Sequence, residues 1–266
     1  MIDYHETFLN TPDGFRLSVR LVIPPSKKAV VVMCHGITTN SAESGFFVDF
    51  EQLLIESSIA CTRFDFRGHG TSSGTPNDVS LRGELLDLRT VRAWLDSLVD
   101  APVFYLVASF GASAAVHDAH SSECAGLILI NPILDYAGVF LRGESSWGKE
   151  IVSSYNDTEY QKDDPIGRLP RSEYVITAQL LRDVASDTTF ELLRTTAIPT
   201  LVFHGAADAL VPVEPVRALQ RHNPSIDLVI YEHGRHGLKE FRPDLMARTR
   251  RWILDHVEHP SHRHHR

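Results

Sequence analysis

The sequence is poor in basic residues and in long apolar runs. Its 266 residues include 26 Lys and Arg against 34 Asp and Glu, which leaves a formal net charge of -8. Proteins that bind nucleic acid usually show a basic patch or a high pI, so this balance argues against a nucleic-acid partner. No apolar run approaches the roughly 18 residues that a membrane span needs, and we expect none.

Cysteine is also scarce. Cys34, Cys61 and Cys124 are odd in number, far apart and set in apolar runs. We expect free thiols in a reducing compartment, and neither a disulfide framework nor a metal site. The first ten residues, MIDYHETFLN, contain no basic region and no apolar stretch. We therefore expect no signal peptide and a cytoplasmic location.

Short apolar runs alternate with stretches of helical periodicity. The runs lack polar alternation, which is typical of strands buried on both faces of a parallel sheet. They lie at 29–34, 59–64, 103–108, 127–130, 200–203 and 228–231. Helical periodicity is found at 46–56, 81–98, 215–222 and 238–256. This order predicts an α/β fold with a doubly wound, mostly parallel sheet.

Two segments depart from this alternation. Arg16–Ile23 alternates in polarity and is followed by two prolines, so we expect an antiparallel edge strand. Residues 136–197 show no strand pattern but contain many aromatics, and the segment is too long for a plain loop. We interpret it as a cap inserted into a single core of residues 1–135 and 198–258. The alternative is a separate structural helical hairpin. Residues 259–266, rich in histidine, are expected to be a disordered tail.

Ser109 lies between an apolar run and the small residues that begin the next helix, in the segment VASFGASAA. A sharp strand-to-helix turn of this kind exposes a nucleophilic serine hydroxyl above the sheet edge, and small neighbours allow strand and helix to pass closely. The usual G-x-S-x-G pattern is V-A-S-F-G here. On this pattern alone, an ordinary strand–helix turn is equally compatible.

An acid and a base follow Ser109 in the chain. Asp208 lies just after the run at 200–203, and His236 lies in a glycine-flanked loop after the last run. The order Ser, Asp, His, with each residue at a strand end, predicts a nucleophile, its base and the acid that orients the base. His233 is the alternative base, and Glu232 is the alternative acid. No metal and no cofactor are expected.

Backbone amides are expected to stabilise an oxyanion at this site. The first donor is the N–H of Phe110, directly after the nucleophile, and the second is the N–H of Ile37 in the segment CHGITTN. His35 in that segment is interpreted as structural, because a complete triad exists without it. The glycines of RFDFRGHGTSSG match no nucleotide-binding pattern, and Asp65 and Arg67 are expected to form an ion pair bracing that loop.

Taken together, the segments CHGITTN, RFDFRGHGTSSG, LVASFGASAA, HGAADALVP and HGRHGL resemble the α/β-hydrolase superfamily in their order. The HGIT and FDFRGHG segments are similar to cinnamoyl- and feruloyl-type serine esterases, which carry a small helical cap after the sixth strand. The LVASFGASAA segment is similar to the acyl-transferase/thioesterase of bacterial luminescence. The resemblance implies an α/β-hydrolase fold, a Ser109–His236–Asp208 triad and cleavage of an acyl bond.

Three functions remain as hypotheses. The first is a serine hydrolase that cleaves a carboxylic ester or thioester through an acyl-Ser109 intermediate, with an apolar acyl pocket that includes Phe140, Trp147 and Leu210. The second is acyl transfer or thioester release from an acyl carrier protein or coenzyme A. An acidic carrier would need a basic patch, for which the candidates are Arg142, Lys149, Arg168 and Arg171. The third is a non-catalytic ligand receptor. The oligomeric state is left open.

Overall fold

The computed structural model describes residues 1–145, 148–149, 161, 164–169 and 172–259. Its strands are β1 (Asp3–Asn10), β2 (Arg16–Ile23), β3 (Val30–Cys34), β4 (Ala60–Phe64), β5 (Val103–Ala108), β6 (Gly126–Ile130), β7 (Pro165–Arg168), β8 (Val175–Thr177), β9 (Thr200–Gly205) and β10 (Asp227–Tyr231). Its helices are α1 (Phe46–Glu56), α2 (Leu81–Asp96), α3 (Ala112–Ala119), α4 (Tyr136–Phe140), α5 (Ala178–Ala185), α6 (Thr189–Thr195), α7 (Glu214–His222) and α8 (Arg242–Glu258).

Eight strands form one sheet in the order β1-β2-β4-β3-β5-β6-β9-β10. The pairs β1–β2 and β2–β4 are antiparallel, and all other pairs in this sheet are parallel. All residues of β3, β6 and β9 are buried, as expected for strands covered on both faces. The predicted α/β fold with a mostly parallel sheet is confirmed.

The sheet edge differs from the prediction. Arg16–Ile23 is antiparallel, but it is the second strand, and the edge strand is β1. β1 pairs with β2 along its whole length, from Asp3 opposite Ile23 to Asn10 opposite Arg16. Its sequence, DYHETFLN, is polar because every side chain of the strand is exposed or half-buried. An edge strand with this pattern lacks the apolar run by which the other strands were recognised.

Helices cover both faces of the sheet, and each face has its own apolar core. On one face, Phe50 and Leu54 of α1 pack with Leu245 and Ile253 of α8. On the other face, α2 contributes Leu88, Val91 and Leu95 to a cluster that also contains residues of α3, α6 and α7. The three- and four-residue spacing of the apolar positions in α1 and α2 places them on the buried side of each helix. The serine N-cap of α2 accepts a hydrogen bond from the third residue of the helix.

The segment between β6 and β9 packs above the carboxyl ends of the strands. Its buried residues Tyr136, Phe140, Tyr174 and Leu180 form a third apolar cluster with Ile37 and Phe110 and with other core residues. The expectation that this segment contains no strand is wrong, because β7 and β8 form an antiparallel hairpin within it. β8, at Val175–Thr177, is short and runs directly into α5. The helix itself begins only after Thr177, whose hydroxyl caps it.

The predicted free thiols are confirmed, since Cys34 and Cys61 are buried and Cys124 is half-buried, all without a disulfide. Burial raises the pKa of the Cys34 and Cys61 thiols. Within the described ranges, no helix has the length and apolarity needed to cross a membrane. Trp147, Arg171 and the predicted tail beyond His259 lie outside the described residues.

Candidate active site

Ser109 stands on a sharp turn between β5 and α3. The chain leaves β5 at Ala108, makes one 3-10 turn over Ser109–Gly111 and enters α3 at Ala112. The φ angle of Ser109 is +51°, in the left-handed region. A residue with a side chain pays about 1–2 kcal/mol for this conformation, so the surrounding packing must hold it in place.

Two glycines allow the backbone to approach this turn. A Cβ atom on Gly111 would lie 2.7 Å from the carbonyl oxygen of His35, and a Cβ on Gly36 would lie 3.2 Å from the Cβ of Ser109. Val107, which replaces the first glycine of the usual pattern, points into the core and is fully buried. The turn therefore accommodates valine at 107, whereas the close contact with His35 requires glycine at 111.

Asp208 and His236 are brought together from the loops after β9 and β10. His236 Nδ1 donates to Asp208 Oδ2 over 2.7 Å. Asp208 Oδ1 accepts from the backbone N–H groups of Leu210 and Val211, at 2.8 and 3.0 Å. Burial alone would raise the pKa of Asp208, but the hydrogen bonds and the charge interaction with His236 hold it below its ordinary value. The carboxylate is thus ionised and fixes the orientation of the imidazole.

Asn131, directly after β6, is a third member of this group that was not predicted from the sequence. Its Nδ2 donates to Asp208 Oδ2, the oxygen that also accepts from His236. The same nitrogen lies 3.4 Å from the carbonyl oxygen of Arg235, so both its neighbours are acceptors and the orientation of the amide is determined. The φ angle of Asn131 is +43°, which asparagine tolerates better than most residues. In the sequence, its position directly after a buried strand was the only signal.

Ser109 and His236 line one cavity of about 270 Å³. Its inner part is apolar and its rim carries charges. The apolar lining comes from Ile37, Phe46, Phe47, Ala108 and Ile130, and the charged lining comes from Glu43, Lys239 and Arg242. Arg242 also pairs with Asp49 at 2.6 Å and lies over the ring of Phe46.

The predicted acyl-pocket residues are placed elsewhere. Phe140 is fully buried in the third apolar cluster, where it packs edge-on against Phe110, and it does not line the cavity. Leu210 packs at the margin of the same cluster and also does not line the cavity. In the structure, the apolar surface of both side chains packs in or against the third apolar cluster. The aromatic residues that line the cavity are Phe46 and Phe47, at the start of α1.

His35 holds the loop that follows β3. The N–H of Phe66 donates to His35 Nε2 over 3.0 Å, so this nitrogen carries no proton, and Nδ1 donates to the carbonyl oxygen of Gly36 over 2.9 Å. Burial, together with the neighbouring His69, lowers the pKa of His35 to about 3, which keeps the ring neutral. Because C=O and N–H of a trans peptide point in opposite directions, this bond also sets the direction of the Ile37 N–H.

Tyr136 of α4 braces the start of α3. Its hydroxyl donates to the carbonyl oxygen of Phe110 and accepts from the N–H of Ser113. The ring of Phe110 is fully buried and packs edge-on against Tyr136, at 5.5 Å between centroids. Tyr136, from the segment above the strand ends, therefore fixes the peptides that follow Phe110 and Ala112.

The expected ion pair between Asp65 and Arg67 does not form. Asp65 accepts from the backbone N–H groups of Ser41 and Thr71, both at 2.9 Å. Arg67 is buried and binds Asp87 of α2 and Asp13, with contacts of 2.7 Å to each. Arg67 begins the turn that follows β4, and its side chain extends to Asp13 and Asp87, whereas the carboxylate of Asp65 faces the backbone of Ser41 and Thr71.

The other polar candidates are less well placed. His233 and Glu232 are exposed, whereas His204 is buried with Nε2 4.0 Å from Asp208 Oδ2. Within the described part of the chain, no group of three or more His, Cys, Asp or Glu side chains is arranged to hold a metal ion. Of the candidate basic residues above the sheet, Arg142 pairs with Asp135 and Glu144, while Lys149 and Arg168 are exposed.

A mostly parallel sheet with a serine on the turn after its central strand, and with an Asp–His pair on later strand ends, is the arrangement of the α/β hydrolases. A model of the alpha/beta hydrolase family matches residues 31–264. The chain therefore belongs to the alpha/beta hydrolase family.

Known proteins similar to the chain include one curated relative and several solved structures. The chain is 26% identical over 277 residues to an uncharacterized abhydrolase domain-containing protein of Dictyostelium discoideum, of which it spans 29%. Est1E from Butyrivibrio proteoclasticus, solved with ferulic acid, has a TM-score of 0.80 at 19% identity, with 95% of this chain and 99% of that chain covered. The esterase Pf2001 of Pyrococcus furiosus has a TM-score of 0.71 at 18% identity, covering 96% and 92%. These structures support the fold.

Proposed function

We propose that the protein is a serine hydrolase that cleaves a carboxylic ester through an acyl-Ser109 intermediate. The observation that carries this proposal is the 2.7 Å bond from His236 to a buried Asp208, in a cavity that His236 shares with the strained Ser109. His236 removes the proton of the Ser109 hydroxyl as it attacks the carbonyl carbon, and it then returns the proton to the leaving alcohol. Asp208 holds the tautomer and stabilises the imidazolium.

The oxyanion is stabilised by the N–H groups of Ile37 and Phe110. The peptide before Ile37 is held by His35, and the chain after Phe110 is held by Tyr136. Donors fixed before the reaction begins need no reorganisation when negative charge develops on the oxygen, and each is typically worth about 3 kcal/mol. Water then attacks the acyl-Ser109 ester by the same route and releases the acid.

The size of the cavity favours a small acyl group. A volume of about 270 Å³, with an apolar interior and a charged rim, lies at the small end for ligand pockets. Ferulic acid, which is bound to the similar structure Est1E, is a carboxylic acid of modest size. We therefore expect short-chain or small aromatic esters to be cleaved faster than long fatty-acyl esters.

The test compares two serines of the same turn and helix. Ser109→Ala removes the nucleophile, whereas Ser113→Ala removes a buried hydroxyl that donates to Asp187 over 2.7 Å. Hydrolysis of short p-nitrophenyl esters should fall by about 10⁴-fold or more in the first variant and persist in the second. Retention of near-wild-type turnover by Ser109→Ala on every ester that the wild type cleaves would refute the proposal.

Release of acyl groups from coenzyme A or an acyl carrier protein is the second candidate. In the sequence, this candidate is favoured by Val107, which stands where the usual nucleophile turn has its first glycine. The pairing of Arg142 with acidic neighbours, however, leaves less positive charge for binding an acidic carrier. Thioesters and oxoesters with the same acyl group separate the two candidates, since a clear oxoester preference excludes the second. A fluorophosphonate probe separates both from a ligand receptor, because only a reactive serine is labelled.

A further inference from the structure

His69 is a buried histidine that the proposed reaction does not use. Its side chain is only 1% exposed, and both ring nitrogens face carbonyl oxygens at 2.8 Å. Nδ1 faces the oxygen of Arg67, in the same turn, and Nε2 faces the oxygen of Ile37, in the loop beside Ser109. The ring also lies 4.7 Å from that of His35, measured between centroids.

A single N–H must serve these two carbonyls. Burial lowers the pKa of His69 below its ordinary value, so the ring is neutral near pH 7 and has one donor nitrogen. A carbonyl that is shielded from water and receives no hydrogen bond destabilises the folded protein by about 1–3 kcal/mol. The position of the proton therefore decides whether the turn of His69 or the loop of Ile37 is held.

We propose that His69 donates from Nε2 to the carbonyl oxygen of Ile37 and so acts as a positioning residue for the oxyanion donor. His35 fixes the peptide that precedes Ile37, and His69 fixes the peptide that follows it. With both adjacent peptides held, the N–H of Ile37, the oxyanion donor of the proposed function, keeps a fixed direction. Catalytic groups need placement within about 0.5 Å, which a loop held at one peptide alone does not ensure.

The orientation of the His69 ring is set from the segment above the strand ends. Tyr174, which directly precedes β8, stacks on it with 4.5 Å between centroids and 22° between planes. Tyr174 is itself buried in the third apolar cluster with Ile37. Tyr174 thus connects the β7–β8 hairpin to the oxyanion loop. Through this contact the hairpin helps to position the oxyanion donor.

The test uses two amide replacements that differ in the place of the donor. In His69→Gln the amide nitrogen reaches the place of Nε2, and in His69→Asn it reaches the place of Nδ1. His69→Gln should keep kcat within about three-fold of wild type, whereas His69→Asn should lose about 10-fold or more in kcat with KM nearly unchanged. Equal losses in both variants, or a loss in KM alone, would overturn the proposal.

Two further measurements address the ring directly. Long-range ¹H–¹⁵N correlation spectra, with the His69 signals assigned by their loss in His69→Gln, should show Nε2 protonated. A ring protonated only at Nδ1 would contradict the proposal whether or not the protein turns over an ester. Tyr174→Phe should keep kcat and Tyr174→Leu should lower it, while equal kcat in both removes the role of the stack.

The inference rests on the proposed function, but the two fail differently. A wild-type protein that a fluorophosphonate does not label at Ser109 counts against the serine hydrolase, and the spectra still decide the place of the His69 proton. A labelled wild type in which the Gln and Asn variants behave alike counts against His69 and leaves the serine hydrolase standing.

Discussion

Removal of the Asn131 amide tests whether the acid of the site needs a second donor. Asn131→Gly deletes the bond to Asp208 Oδ2 and keeps a backbone that accepts a φ of +43° without strain. A hydrogen bond to a charged group is worth about 1.5–3 kcal/mol. If this support is fully expressed in the transition state, kcat/KM falls by about 10- to 100-fold.

Asn131→Asp is the sharper version, because it keeps the shape of the side chain. A second carboxylate against Asp208 raises the pKa of the pair, since two like charges at this distance cannot both ionise easily. The acidic limb of the profile of kcat/KM against pH should therefore move to higher pH, and the glycine variant should move less. Activity at low pH is lost first.

The assay is hydrolysis of a short chromogenic ester from about pH 4 to about pH 9, with urea unfolding as a control for stability. Normal unfolding midpoints with reduced kcat/KM place the effect in the site. If the glycine variant stays within two-fold of wild type and the aspartate variant keeps the wild-type profile, Asn131 has no part in holding Asp208.

Three further predictions concern stability. Gly111→Ala should destabilise the protein by about 1–3 kcal/mol in thermal or urea unfolding, because the added Cβ would lie 2.7 Å from the backbone oxygen of His35. An unchanged unfolding midpoint would show that the turn can relax. Asp65→Asn should cost about 1–3 kcal/mol at pH 7. Burial alone would raise the pKa of Asp65, but hydrogen bonds to its carboxylate outweigh burial and keep the pKa below its ordinary value. The stabilisation by the Asp65 carboxylate is therefore present above pH 3.8 and lost as the pH falls through the folded pKa. The difference in free energy of unfolding between Asp65→Asn and wild type should shrink in acid. A difference that does not change with pH would contradict this. Arg67→Lys should lower stability by about 1–3 kcal/mol, since an ammonium cannot bind Asp87 and Asp13 with the same fork, and a lysine variant of wild-type stability would show that charge alone suffices.

The central strands and the order of the site residues were predictable from local sequence. Buried parallel strands are continuous apolar runs, and residues directly after such strands meet at one edge of the sheet. This is why the sequence predicts that Ser109, Asp208 and His236 lie at one sheet edge, and why His236 and Asp208 are in contact. The polar strand β1 gave no such signal, because its side chains are exposed or half-buried along its whole length.

The missed parts depend on contacts between distant residues. Asn131 and Asp208 are 77 residues apart in the sequence, and they meet only because β6 pairs with β9 in the sheet. Arg67 binds Asp13 across 54 residues, while the nearer Asp65 satisfies two backbone amides. Phe140 and Phe46 are both aromatic residues near the site, and only packing decides which of them lines the cavity. Sequence periodicity carries no information on such choices.

The nucleophilic role of Ser109 can be tested by covalent labelling. Wild-type protein is treated with a fluorophosphonate, its intact mass is measured by mass spectrometry, and the modified residue is located by peptide mapping. We expect a single adduct on Ser109, which also forms in Ser113→Ala and is absent in Ser109→Ala. An ester-cleaving wild type that carries no adduct on Ser109, or that carries it on another residue, would show that Ser109 is not the nucleophile.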